Sequence, residues 1–367
     1  MREDVVRMPS DFIVIVGAPR SGTTLLRLLL DAHSEIGSPA EAGLPALMDH
    51  LAQVWLTVEA DVEPREVEDW PPPLSLEADR AIRATVGAVL DSYRRRERKR
   101  LYCDKLLDAV EHLAIVAKLF PDTKYVILVR HVMDCVASAL ESSPFGFAGY
   151  GYTRFVQSSP ENFVSALVAH WVRHVGLALQ WVETHTNECL NLRYEDLVRD
   201  PDAQLARLFA FLNVAHEPTV CTAAFAKARW AQGPGDHKIA HTKRISSESV
   251  GRGKRVPVAM IPPPLRAAAN QALQSLGYET LDDDWNLSAS SDVGSNGSDA
   301  VHSLTAFLEA LVKRPRASRP ALDLVVALVV DDLRDTRWVL DTAASSLRLE
   351  LGEVDVDAVL AETLQAC

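Results

Sequence analysis

Short strand-like runs recur along the chain, each followed by a stretch with helical apolar spacing. Ile13-Val14-Ile15-Val16 is the first. A run with no polar position suits a strand buried on both faces of a parallel sheet. From Thr23 onward, Leu25, Leu26, Leu28, Leu29 and Leu30 predict a helix with a broad apolar face. Further strands are predicted at 101–105, at 123–130 and at the start of 189–197, with helices over 78–93, 111–120, 163–184, 201–212 and 261–278. Strands alternating with helices imply an α/β fold around a parallel sheet. The pattern stops near residue 287. Residues 288–299, rich in Ser, Gly, Asp and Asn, read as a flexible linker. Beyond it, 300–367 has helical apolar spacing and predicts a mainly helical segment, through which a homodimer or a partner protein is the expected contact. The expected organisation is therefore a main domain over 1–287, the linker, and a helical appendage.

Composition narrows the function classes. Of 367 residues, 48% are hydrophobic and 24% charged, and the net charge is −12. That balance argues against general binding to nucleic acid or to anionic membranes, so any basic site must be local. Five widely spaced cysteines form neither a zinc pattern nor a disulfide framework, which points to a reducing cytoplasm. The nearest candidate for a membrane span, 321–330, is too short. His170 and His174, one helical turn apart, lack a third ligand and read as structural, so no metal site is expected. The basic run 94–100 reads as a solvated helix end.

The candidate chemistry starts after the first strand, at Gly17-Ala18-Pro19-Arg20-Ser21-Gly22-Thr23-Thr24. Two glycines bracket a tight loop, and the helix that follows aims unpaired N–H groups at its mouth, where an anion fits best. The spacing is that of a phosphate loop, but Thr23 stands where the lysine of a nucleoside-triphosphate loop belongs. The fixed cation is Arg20, inside the loop. This arrangement suits a phosphosulfate, which carries less charge than a triphosphate and needs no metal.

Residues 17–25 resemble the 5′-phosphosulfate loop of sulfotransferases that use 3′-phosphoadenosine 5′-phosphosulfate (PAPS), and most closely the tyrosylprotein-sulfotransferase-like branch with its bacterial relatives. The resemblance covers about 11–278. It implies a P-loop-kinase-like central parallel sheet flanked by helices, and it implies roles residue by residue. Pro19, Arg20, Ser21, Gly22, Thr23 and Thr24 would hold the phosphosulfate. Glu41, in the Gly/Pro loop after the first helix, would be the catalytic base, with His112 as the reserve. Lys105, in Asp104-Lys105 at the end of the predicted strand 101–105, would stabilise the leaving phosphate, as would Arg20. Arg130 at the end of the next strand and Ser138 in the helix after it would bind the 3′-phosphate. Tyr194, in Arg193-Tyr194-Glu195-Asp196-Leu197, would lie by the adenine. Lys238, Ser249, Gly251 and Arg252 would belong to a late loop over the cofactor. The aromatic stretch 142–159 would shape the acceptor pocket.

The expected function is transfer of a sulfuryl group from PAPS, with PAP as product, to a hydroxyl on a small metabolite, a sugar or a carrier-bound intermediate. Two other readings stay open. A P-loop kinase of a small alcohol would show Mg²⁺ dependence, although Arg130 stands where its metal-holding aspartate belongs. A catalytically silent PAP-binding scaffold would bind PAP without turnover.

Overall fold

The computed structural model describes residues 11–59, 71, 73–105, 109–141, 151–160, 162–225, 244–286, 325–329, 336–341 and 346–351. The chain divides into two compact units, one from Met1–Arg130 with Arg173–Val250, the other from His131–Val172 with Gly251–Cys367.

The first unit is built on five parallel strands: β1 (Phe12–Val16), β2 (Ile36–Gly37), β3 (Leu101–Lys105), β4 (Lys124–Val129) and β5 (Cys189–Arg193). Their order is β2-β3-β1-β4-β5. The central β1 pairs with β3 through Ile15↔Lys105 and with β4 through Val16↔Ile127, so neighbouring strands end together at one edge. Every residue of β1 is buried, as its unbroken apolar run predicts. Helix α1 (Thr23–Ala32) buries nine of its ten residues. Its leucines share one core with Ile13 and Ile15 of β1, Val126 and Leu128 of β4, and Leu205, Leu208 and Phe209 of the helix Pro201–Phe211. A buried leucine of this kind contributes about 1.5–3 kcal/mol. Two-residue β2 lies inside the stretch read as a loop; only its pairing with Leu101 and Tyr102 makes it a strand.

Helices α2 (Leu44–Glu59) and α3 (Leu76–Glu97) follow β2, and α4 (Leu113–Leu119) follows β3. The Ser75 hydroxyl caps α3 by accepting the Ala78 N–H at 3.0 Å. The basic run at the other end of α3 complements the helix dipole and ties down the sheet's lower end. Arg94 meets Asp11 at 2.6 Å, and Arg100 meets Glu35 at 2.6 Å. These cations are engaged by their own chain rather than presented as a patch.

The second unit contains α5 (Val132–Leu140) and the helix Pro263–Ser275. The Asp134 carboxylate accepts the backbone N–H groups of Gly251 at 2.9 Å and Gly253 at 2.6 Å. The His131 ring stacks on Trp285, with centroids 4.7 Å apart. This unit also holds β6 (Val325–Val329), β7 (Thr336–Asp341) and β8 (Ser346–Leu351), three antiparallel strands in the order β6-β7-β8. Within 300–367, expected to be mainly helical, the described residues are strand instead. Residues 346–351 alternate as Ser-Leu-Arg-Leu-Glu-Leu, the period-2 signature of a strand, and Val325, Val326 and Val329 are β-branched. The linker 288–299 lies outside the described residues. No helix among the described residues is long and apolar enough to cross a membrane.

Candidate active site

Three adjacent strand ends carry the predicted chemistry of the first unit. At the end of β1, the chain turns tightly into α1. The Ser21 N–H donates to the Ala18 carbonyl at 3.1 Å, and Arg20 and Gly22 both take left-handed backbone angles, φ 70° and 97°. Alternating backbone of this kind turns successive N–H groups to one side, a shape that binds anions. There is no room for side chains at the glycines. A Cβ on Gly17 would lie 2.7 Å from the Leu128 carbonyl oxygen, and one on Gly22 would lie 2.4 Å from the Tyr194 ring. No side chain caps α1. Ser21 is fully buried, and its hydroxyl has no hydrogen-bond partner among the described residues. An uncapped helix start, crowded glycines and an orphaned hydroxyl fit an anionic group seated on the loop. Thr23 and Thr24 are the first residues of α1, Thr23 buried and Thr24 half-buried; Pro19 is buried beneath the turn.

At the end of β3, Lys105 is 2% exposed, and its ammonium meets the Glu41 carboxylate at 2.5 Å. Burial lowers the Lys105 pKa; Glu41 opposes that shift, while the charges of Arg27 and Arg20 add to it. Glu41 itself sits on left-handed backbone at φ 42°. Its side chain is about a third exposed, so the pair has one member inside and one at the surface. A buried ammonium paired with one partly exposed carboxylate can transfer its attraction to another anion.

At the end of β4, Arg130 donates to the Arg20 carbonyl at 3.1 Å and to the Ser249 carbonyl at 2.6 Å. Its guanidinium lies 4.4 Å from the centre of the Tyr194 ring, and the Tyr194 and Ser249 hydroxyls are 2.7 Å apart. Tyr194 follows β5 directly. It therefore packs on Gly22 and under Arg130 at once, which ties the phosphate loop to the β4 and β5 ends.

The fold thus brings Arg20, Ser21, Gly22, Arg130, Tyr194 and Ser249 together, and separately joins Glu41 to Lys105. Of the remaining predicted residues, Ser138 is half-buried on α5 in the second unit. Gly251 gives its N–H to Asp134, and Arg252 reaches Glu141 at 3.6 Å, so both serve bonds within that unit. Lys238 and residues 142–150 lie outside the described residues. His112 stands at the start of α4, 3.4 Å from Asp49.

Sequence reasoning missed a buried polar group beside Glu41. Arg27, Asp31 and Asp104 are 6%, 4% and 0% exposed. The signal was present in the sequence: Arg27 and Asp31 stand one helical turn apart within the leucine-rich face of α1.

Residues 11–218 match the model of the sulfotransferase family. The chain belongs to that family. It is 25% identical over 219 residues to protein-tyrosine sulfotransferase A of Caenorhabditis elegans, which covers 59% of this chain and 54% of the relative. It is 26% identical over 263 residues to nodulation protein NoeE of Sinorhizobium fredii, covering 68% and 61% of the two chains. The chain spans about half the length of the first tyrosine sulfotransferases it matches. Among solved structures, the sulfotransferase domain of the Synechococcus PCC 7002 olefin synthase superposes with a TM-score of 0.52 at 22% identity, over 74% of this chain and 95% of that one. This last likeness concerns the fold: a parallel sheet flanked by helices.

Proposed function

We propose that this sulfotransferase-family chain moves a sulfuryl group from PAPS to a hydroxyl acceptor, with Glu41 as the general base. The observation that carries the proposal is the Glu41–Lys105 pair at 2.5 Å, at a strand end next to the Gly17–Gly22 turn. PAPS supplies an activated sulfuryl group joined to its 5′-phosphate. Glu41 takes the proton as the acceptor oxygen attacks sulfur, and the bond from sulfur to the phosphate oxygen breaks. Lys105, Arg20 and the N–H groups at the start of α1 stabilise the charge that builds on that phosphate. Lys105 exchanges one carboxylate partner for the developing phosphate charge, which leaves Glu41 free to receive the proton. Arg130 is assigned to the 3′-phosphate, Tyr194 to the adenine, and Ser249 to the late loop over the cofactor. Acceptors of the proposed class are small metabolites, sugars and carrier-bound intermediates with a free hydroxyl.

Thermal denaturation with PAP and, separately, with ATP and Mg²⁺ tests the cofactor assignment. PAP should raise the midpoint clearly and ATP with Mg²⁺ far less. Equal stabilisation by the two would remove the 3′-phosphate from the proposal. Labelled PAPS offered with a panel of hydroxyl compounds then tests transfer itself.

A further inference from the structure

The stretch from Ser38 to Leu44 is a strap that β3 fastens at three consecutive residues. The Ser38 hydroxyl donates to the Cys103 carbonyl at 2.9 Å. The Leu44 N–H donates to Asp104 Oδ2 at 3.0 Å. Lys105 Nζ donates to Glu41 Oε1 at 2.5 Å. Helix α1 grips the near end of the strap as well. Arg27 donates to the Ser38 carbonyl at 2.9 Å, and Asp31 accepts the Ser38 N–H at 3.0 Å. Between the two fixed ends, Glu41 and Gly43 take left-handed angles, φ 42° and 73°. For glutamate that backbone costs energy and persists only where its surroundings leave no relaxed alternative. At the far end that constraint comes from Asp104, which takes the first N–H of α2 where a capping side chain would otherwise stand.

We propose that Asp104 is a positioning residue for Glu41: by holding the Leu44 N–H it fixes the strap in the left-handed turn that sets the Glu41 carboxylate against Lys105. The importance of this role rests on Glu41 being the base, although the geometry can be tested without it. Burial pushes the Asp104 carboxyl up to about 6, against the pull of the Leu44, Gly43 and Lys105 N–H groups and of the Lys105 ammonium. A carboxylate at that depth costs stability that a purely space-filling residue would avoid. The strap is what it holds in return.

The test uses the full chain and Asp104→Ala, Asp104→Leu and Asp104→Asn. Leucine keeps the volume without an acceptor, so it stays informative if the alanine cavity unfolds the protein. Two readouts need no turnover: amide exchange over residues 38–47, and the NMR cross-relaxation contact between the Glu41 and Lys105 side chains. In the alanine or leucine variant, exchange should quicken at least about tenfold, and the NMR contact between the Glu41 and Lys105 side chains should be lost. The PAP-induced thermal shift should stay within a degree or so of the parent's. Asparagine, which retains an acceptor oxygen, should restore both readouts. Parent-like exchange and an unchanged Glu41–Lys105 contact in the leucine variant overturn the proposal. Turnover by Glu41→Gln judges the base assignment separately: full activity there ends that reading and leaves the strap result standing.

Discussion

The β3 end and the β4 end share one edge of one sheet, yet they use charge differently. At β3, two opposite charges face each other, one buried and one a third exposed, on backbone bent into an unfavourable region. At β4, the Arg130 guanidinium lies against an aromatic face and donates to neutral carbonyls of Arg20 and Ser249. A facing pair of opposite charges suits a step in which a proton and a developing negative charge change places. A guanidinium clamped by carbonyls and a ring suits recognition, because its geometry is set before the ligand arrives. The difference teaches which kinetic quantity each end should govern: turnover at β3, cofactor affinity at β4.

Glu41→Gln is the largest expected effect. Turnover should fall roughly 10²–10⁴-fold, the usual range for a lost general base, while the PAP-induced thermal shift is retained. A variant that turns over at the parent rate would pass the base role to His112, provided that His112→Ala is inactive. Arg130→Ala comes next and should do the reverse. PAP binding, measured by calorimetry, should weaken by about 2–5 kcal/mol, as when one member of a buried charged contact is removed. If Arg130→Ala instead lowers turnover at saturating PAPS with unchanged affinity, the division between the two ends is wrong.

The smallest effect concerns stability at the β3 end. The Asp104 carboxyl binds its proton more tightly in the fold than in the unfolded chain, with its pKa raised from 3.8 to about 6 by burial. The stabilisation from that proton is therefore present below about pH 4 and lost as pH rises through about 6. Asp104→Asn carries no such charge. Its stability relative to the parent should rise between those pH values by on the order of 3 kcal/mol, then level off. Chemical denaturation of both proteins at pH 4, 5, 6 and 7 measures the difference. A constant gap would show that Asp104 is not a buried, proton-linked carboxyl.

Strands β1 and β4 were legible because burial on both faces leaves an apolar run, as in Phe12–Val16. The same kind of run misled at 321–330, where apolar spacing was read as helix and Val325–Val329 is strand. A short apolar run carries no period of its own, and only pairing with Thr336–Asp341 decides it. Two-residue β2 escaped notice for a related reason: its identity lies in its partner strand, not in its residues.

By itself the sequence determined the loop after β1, with its glycines and internal arginine, and the cations at the ends of β3 and β4. These are local features, set by residue type and by distance from an apolar run. Only the tertiary structure decided which side chains meet. Glu41 and Lys105 are 64 positions apart, and Arg130 and Ser249 are 119 apart. Parallel pairing brings the strand ends to one edge. Whether Glu41 then reaches Lys105 depends on left-handed turns in the strap and on the buried Asp104 that holds its end. Those backbone angles follow from contacts made after the chain has folded, and no spacing along the sequence encodes them.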